Sequence, residues 1–179
     1  MSVLAKFLGR AGAGLDIEPL RKKHLPEIMP IEQTAYPRPW TLGVFQSELE
    51  LARRGERHYI VAREGSEVVG YAGLLFAIDD AHVTNIAVSA DRRRQGIATR
   101  LLAELAWEAI ARDCHALTLE VRISNTGAQA LYREFGFVPA GVRKKYYENV
   151  EDGIVMWCND LALPEYRERL AALSPEAQR

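Results

Sequence analysis

Apolar residues change their spacing several times along the chain, and each change marks an element. Leu15–Leu20 reads as a short strand. Between His24 and Ala35, the residues Leu25, Ile28, Met29 and Glu32 fall roughly one turn apart, which predicts a helix. Pro37, Pro39 and Trp40 then mark a loop. Thr41 stands where it can cap a second helix, with Val44, Phe45 and Leu49 on the buried side. Strand spacing follows. His58–Glu64 alternates, Gly65-Ser66 makes a tight turn and Glu67–Ile78 runs back, so the two runs form a hairpin. His82–Val88 adds a third strand. Ile97–Arg112 is strongly amphipathic, with Ile97, Leu101, Leu102, Leu105, Ala109 and Ile110 on one face. Leu117–Arg122 returns to strand spacing, and Thr126–Phe135 is a helix stopped by Gly136. Phe137 onward and Gly153–Leu161 close the pattern as a strand pair. This order predicts an α+β layered domain with a mixed sheet.

Composition narrows the class. The 179 residues fit one domain able to bury its own core. Wholesale disorder is excluded by 48% hydrophobic and 26% charged residues. With 23 basic and 24 acidic residues, net charge -1, the chain lacks the basic excess of a nucleic-acid binder. No apolar run is long enough to span a membrane. Two cysteines, Cys114 and Cys158, cannot build a disulfide framework, and no cysteine/histidine cluster has zinc spacing, so no metal is expected. Residues 1–14 read as a flexible N-terminal extension hinged at Gly12 and Gly14. Lys6 and Arg10 interrupt the apolar stretch that a secretion signal needs, which makes the cytoplasm the expected location. The main domain is expected over residues 15–161, followed by a tail, 162–179. In that tail Glu165, Arg167, Glu168 and Arg169 surround Leu170 and Leu173, as in a short surface helix.

The first chemical signal is the turn from Asp91 to Ala98, which joins a strand to the amphipathic helix. Gly96 and Ala98 are small enough for a ligand to approach the backbone closely. The first-turn N–H groups of a helix have no internal partners and carry partial positive charge, which suits a pyrophosphate. Arg92, Arg93 and Arg94 add attraction for phosphates. On charge alone the same run is an ordinary solvated basic loop.

Asn85–Leu102 (NIAVSADRRRQGIATRLL) resembles the acetyl-CoA motif of the GNAT acyltransferase superfamily, with Arg93, Gly96 and Ala98 in its fixed positions. Leu119–Phe137 (LEVRISNTGAQALYREFGF), the tyrosine pair of Arg143–Tyr147, the acidic-then-apolar Glu151–Met156 and the Pro37–Trp40 loop resemble the ribosomal-protein alanine N-terminal acetyltransferases of the RimI type. The resemblance covers about residues 15–161. It implies the GNAT fold, a mixed, mostly antiparallel, twisted sheet flanked by helices. It also implies acetyl-CoA as cosubstrate, held at its pyrophosphate by Arg93, Arg94, Gln95, Gly96, Ile97, Ala98 and Thr99. The pantetheine arm would add as a strand along Ile86, Ala87 and Val88. Gly153 stands where relatives usually carry alanine, and is expected to loosen that strand start without changing the chemistry.

By the same resemblance Glu120 is the general base, acting through a water. Alternation places it opposite Leu117, Leu119 and Val121, where an exposed strand glutamate would also sit. Tyr132 is implied to protonate the departing thiolate; otherwise it is a core aromatic beside Leu131 and Phe135. Asn125 is implied to hydrogen-bond the pantetheine arm, or else it caps the helix that follows. An amide of Ile86 or Val88 would hold the oxyanion. Tyr36, Trp40, Tyr146 and Tyr147 are candidate walls of a peptide groove, or ordinary packing. Glu32 reads as a helix glutamate facing water, with a weaker claim to a substrate charge. Neither cysteine has a base at useful spacing, which favours direct transfer in a ternary complex over an acetyl-cysteine. The implied substrate is a protein N-terminus, that of an alanine-starting small-subunit ribosomal protein, and the implied state a monomer or weak dimer. A small amine or lysine side chain as acceptor, or a non-catalytic acyl-CoA-binding module, remain open at this point.

Overall fold

The computed structural model describes residues 14–178. Apart from Gly14, the expected N-terminal extension lies outside the described residues. Within these residues seven strands form one sheet: β1 (Leu15–Pro19), β2 (Arg57–Glu64), β3 (Glu67–Ala77), β4 (Asp80–Val88), β5 (Ala116–Arg122), β6 (Val138–Tyr147) and β7 (Glu151–Cys158). Their order is β1-β2-β3-β4-β5-β7-β6. Every neighbouring pair is antiparallel except β4 and β5. Among the described residues five α-helices flank the sheet: α1 (Leu25–Ala35), α2 (Leu42–Arg53), α3 (Ile97–Ala111), α4 (Thr126–Glu134) and α5 (Pro164–Leu173). The mixed, mostly antiparallel layered domain expected from the sequence is the fold observed.

Local chemistry sets the helix ends. Pro26 lies in the first turn of α1, where a missing N–H costs nothing. The Thr41 hydroxyl accepts from the Val44 N–H and starts α2. Val44 itself is 38% exposed, because only Phe45 and Leu49 of this helix are buried against the sheet. Gly136, at φ +89°, stops the chain just beyond α4 in a conformation that a side chain would strain.

Strand alternation divides the core in two. Ile60, Ala62, Val69, Ala72 and Leu74 project toward α3, as do Leu117, Leu119 and Val121 of β5. Eight buried residues of α3 pack there, joined by Phe135, Tyr166 and Leu170. Each large aliphatic side chain in such a layer contributes about 1.5–3 kcal/mol on burial. On the other face Tyr59, Val61, Val68, Tyr71 and Ala87 meet Ile28, Ile31, Phe45 and Leu49 from α1 and α2.

One irregularity positions the site. Pairing of β4 with β5 is confined to Asp80–His82 opposite Ala116–Thr118. β5 stays paired with β7 from Leu117 to Arg122, and β4 stays paired with β3 as far as Val88. The two parallel strands therefore part after His82, and the sheet opens between them. No described helix is long and apolar enough to cross a membrane.

Candidate active site

At the far end of β4 the chain turns through a short 3-10 segment, Ala90–Arg92, into α3. Arg94 at φ +63° and Gly96 at φ +81° make this turn, and Gly96 is the N-cap. Having no side chain, it leaves the first-turn N–H groups of α3 without a capping acceptor. Arg92 is committed to Glu67 and Glu64, at 3.2 and 3.4 Å, and so fastens the turn to the β2–β3 hairpin. Arg93 and Arg94 are exposed and form no ion pair among the described residues. Gln95 folds back onto the Asp91 carbonyl at 3.4 Å. Ile97 is buried and anchors the helix start, while Ala98 and Thr99 are half-buried. Two free guanidinium groups, a left-handed glycine and uncapped amides fit an anionic diphosphate.

The edge of β4 supplies the next contacts. The Ser89 N–H donates to the Val69 carbonyl at 2.9 Å, which turns the peptide groups of Ala87 and Ser89 toward β3. Alternation then directs those of Ile86 and Val88 into the opening. Tyr36 occupies one of them, its hydroxyl donating to the Ile86 carbonyl at 3.0 Å. The Ile86 N–H and both peptide groups of Val88 remain along the edge. Of the three positions expected on that edge, Ala87 turns its peptide groups to β3 instead, where it pairs with Tyr71.

Across the opening stands Glu120, its side chain 9% exposed. His82 Nε2 lies 3.0 Å from Oε2, and Arg143 Nη2 lies 3.3 Å from Oε1. The other imidazole nitrogen, Nδ1, meets the Thr118 hydroxyl at 2.8 Å. Burial lowers the His82 pKa; Glu120 opposes that shift and Arg143 reinforces it, so the ring is neutral near pH 7. Neither His82 nor Arg143 stands out in the sequence. His82 reaches Glu120 only because β4 pairs with β5 at that one register, His82 opposite Thr118.

Tyr132, half-buried on α4, packs with its ring centroid 5.8 Å from that of Phe137. Burial pushes its phenol up to about 12. Burial also raises Tyr147, which feels Tyr146 first, then Glu120 and, more weakly, Tyr132. Tyr36 is raised by burial and in turn by Tyr132, Glu32 and Tyr147. Tyr147 thus lies within electrostatic reach of Glu120, Tyr132 and Tyr36. Asn125 is the N-cap of α4, its side-chain oxygen accepting from the Ala128 N–H at 3.1 Å.

The aromatic side chains of this region rest on polar supports. Glu32 does not face water: it is 1% exposed and accepts from the Trp40 N–H at 2.6 Å and from the Tyr71 hydroxyl. It needs partners because a buried carboxylate without them is costly, and it clamps the Pro37–Trp40 loop onto α1. Trp40 packs edge-on against Phe45, beside the core formed by α1, α2 and the sheet. Tyr146 and Tyr147 form a T-shaped pair 5.0 Å apart, with the Arg122 guanidinium 4.2 Å over Tyr147. Gly153 lies inside β7 rather than at its start. A Cβ there would come within 3.1 Å of Tyr146 and 3.2 Å of Tyr147. Cys114 and Cys158 are buried, and burial raises both thiols.

The sequence profile of the acetyltransferase (GNAT) family matches residues 25–137. The [ribosomal protein bS18]-alanine N-acetyltransferase of Escherichia coli (strain K12) is 36% identical over 144 residues, covering 78% of this chain and 94% of that protein. The crystal structure of the ribosomal-protein-S18-alanine N-acetyltransferase from Escherichia coli superposes with a TM-score of 0.74 at 33% identity, over 82% of this chain and 94% of that one. A GNAT family acetyltransferase from Elizabethkingia anophelis with acetyl-CoA bound shares the fold, with a TM-score of 0.68 at 20% identity, over 83% of this chain and 99% of that one. The opening between β4 and β5, with a glycine-capped helix at one end and a carboxylate at the other, therefore belongs to an acetyl-CoA-dependent N-acetyltransferase, and the chain is a member of the GNAT acetyltransferase family.

Proposed function

We propose that this enzyme acetylates the α-amine of a protein that begins with alanine, as the names of its relatives describe for ribosomal protein bS18. The observation that carries the reading is the parting of β4 from β5. It sets outward-facing amides at Ile86 and Val88 opposite the Glu120 carboxylate. Acetyl-CoA supplies an activated acyl thioester. Arg93, Arg94 and the backbone from Gly96 to Thr99 would hold its diphosphate, and the β4 edge would take its amide-bearing arm.

Glu120 then receives a proton from the substrate ammonium, directly or through one water. A free α-amine has a pKa of about 8, so the base works on a group that is already partly neutral near pH 7. The neutral amine nitrogen bonds to the acyl carbon as the carbon–sulfur bond breaks, and the second proton it sheds on becoming an amide replaces the one that Tyr132 gives to sulfur. An N–H of Ile86 or Val88 donates to the carbonyl oxygen as charge builds there. The Tyr132 hydroxyl, held protonated at all working pH values by its raised pKa, donates to the departing sulfur. Both cysteines are buried and carry raised thiols, which supports direct transfer rather than an acetyl-cysteine. Tyr36, Tyr146 and Tyr147 would flank the first residues of the peptide. A ribosomal substrate implies work in the cytoplasm.

The purified protein, given acetyl-CoA and a library of peptides, is expected to acetylate free N-termini that begin with alanine, read by mass spectrometry. The same peptides with a blocked N-terminus stay unmodified. Acetyl groups appearing instead on lysine side chains of blocked peptides would replace this reading with the lysine one.

A further inference from the structure

Glu120 is held on both sides, and the two holds differ. Arg143 reaches Oε1 at 3.3 Å from strand β6, with its side chain 56% exposed and its guanidinium 5.2 Å over the exposed Tyr146 ring. Water screens such a contact, and the long side chain is free to leave when a substrate ammonium arrives. His82 reaches Oε2 at 3.0 Å from the strand that Glu120 faces, with its ring 30% exposed. A neutral imidazole beside a carboxylate must present N–H, so Nε2 carries the proton. Nδ1 is then the acceptor, and the Thr118 hydroxyl at 2.8 Å donates to it. Thr118 and Glu120 share the same face of β5, two residues apart. Threonine thus fixes the tautomer of the histidine, and the histidine fixes one oxygen of the carboxylate.

We propose that His82 is a positioning residue for acetyl transfer: its Nε2–H, oriented through Thr118, pins Oε2 of Glu120 so that Oε1 stays directed at the incoming amine. The inference rests on Glu120 being the base. His82 itself exchanges no proton with substrate and forms no bond. A carboxylate swinging between rotamers would meet the amine only part of the time, and catalysis falls steeply with such misplacement. The arrangement depends on a donor at the position of Nε2, not on an imidazole as such. Glutamine, whose amide N–H₂ reaches about as far, can replace it; phenylalanine, which fills the ring volume without a donor, cannot.

Steady-state kinetics on an alanine-starting peptide test this with four variants. H82F is expected to lose about tenfold in kcat with KM for acetyl-CoA unchanged, and H82Q to recover most of the loss. T118V, nearly isosteric and compatible with a strand, is expected to lose about threefold in kcat by releasing the ring. Should H82F fail to fold, T118V and H82Q still decide: wild-type kcat in T118V, or a tenfold loss in H82Q, overturns the proposal. Wild-type kcat in H82F, or equal losses in H82F and H82Q, overturns it too. E120Q separates the two levels. A collapse of kcat in E120Q with H82F unaffected leaves the base in place and removes His82 alone, whereas full activity in E120Q removes the base on which the inference stands.

Discussion

The sheet face beneath α3 is filled by aliphatic side chains: Leu101, Leu102 and Leu105 against Val69, Leu74, Leu117 and Leu119. The face beneath α1 and α2 threads polar groups between its aromatics. Glu32 joins Trp40 to Tyr71, and the Tyr59 hydroxyl donates to Glu48 at 2.8 Å with Thr84 at 3.2 Å. Tyr36 donates to the Ile86 carbonyl. His82, Thr118 and Glu120 lie on that same side, because the residues alternating with them, Ala81, Val83, Leu117, Leu119 and Val121, belong to the α3 core. The contrast teaches a division of labour within one sheet. Dry packing sets stability and a rigid frame. The partnered polar face aims side chains, and it keeps their positions only while each buried group retains its donor or acceptor.

The sharpest way to break this comparison is at Glu120. Replacing it with glutamine keeps the volume and the hydrogen bond from His82 but removes the proposed base. We expect kcat to fall by roughly 10²–10⁴-fold, with calorimetric affinity for acetyl-CoA unchanged and the unfolding midpoint nearly where it was. A variant that lost coenzyme affinity to the same degree would show that the carboxylate supports the site rather than the chemistry.

Leu102→Ala probes the opposite face and should give the mirror-image result. Leu102 is fully buried on α3, so truncation leaves a cavity and costs about 2–5 kcal/mol in urea unfolding. Turnover of the protein that remains folded is expected to stay within about twofold of the parent, since the substitution removes no donor or acceptor from the opening. A large kcat loss without loss of stability would mean that the dry face also governs the geometry of the site.

The two faces differ in legibility for the same physical reason. A helix of period 3.6 against an apolar sheet writes its contacts into local spacing, so α3 and its buried stripe can be read from Ile97 to Ile110. Glu120 is legible as a side chain opposite Leu119 and Val121, because strand alternation is also local. Its two holders are not. His82 and Glu120 meet through a parallel pairing only three residues long, and Arg143 arrives from an edge strand beyond β7. Glu32 has helical spacing that looks like a solvated position. Its burial follows from Tyr71, 39 residues away, and from the Trp40 N–H of the next loop. Val44 errs the other way, an apolar residue at a plausible spacing that the sheet does not cover. Polar partners brought together by tertiary contacts leave no periodic trace, and His82, Arg143 and Glu32 are such partners.

The smallest expected effect tests the proposal that the Tyr146–Tyr147 pair flanks the peptide. Gly153 lies beneath the Tyr146–Tyr147 pair, and an added methyl would stand 3.1 Å from the Tyr146 ring and 3.2 Å from the Tyr147 ring. That is tighter than ordinary contact, so the tyrosines must give by a few tenths of an ångström. Tyr146 is 46% exposed and can move outward; Tyr147 is half-buried and stacked against Arg122, which resists. Alanine also reduces the entropy of the unfolded chain and suits a strand better than glycine, which offsets part of the crowding. Stability of Gly153→Ala should therefore change by less than about 1 kcal/mol, and kcat should stay near the parent value because Glu120 and His82 are untouched. The peptide side should respond instead: KM for alanine-starting peptides shifts by about two- to fivefold while KM for acetyl-CoA holds, as expected if substrate and transition state are bound equally by a wall that has moved. Preference among second residues of the peptide shifts with it. If peptide KM and second-residue preference both match the parent, the tyrosine pair is packing for β6 and β7, and the groove wall must be sought nearer Tyr36.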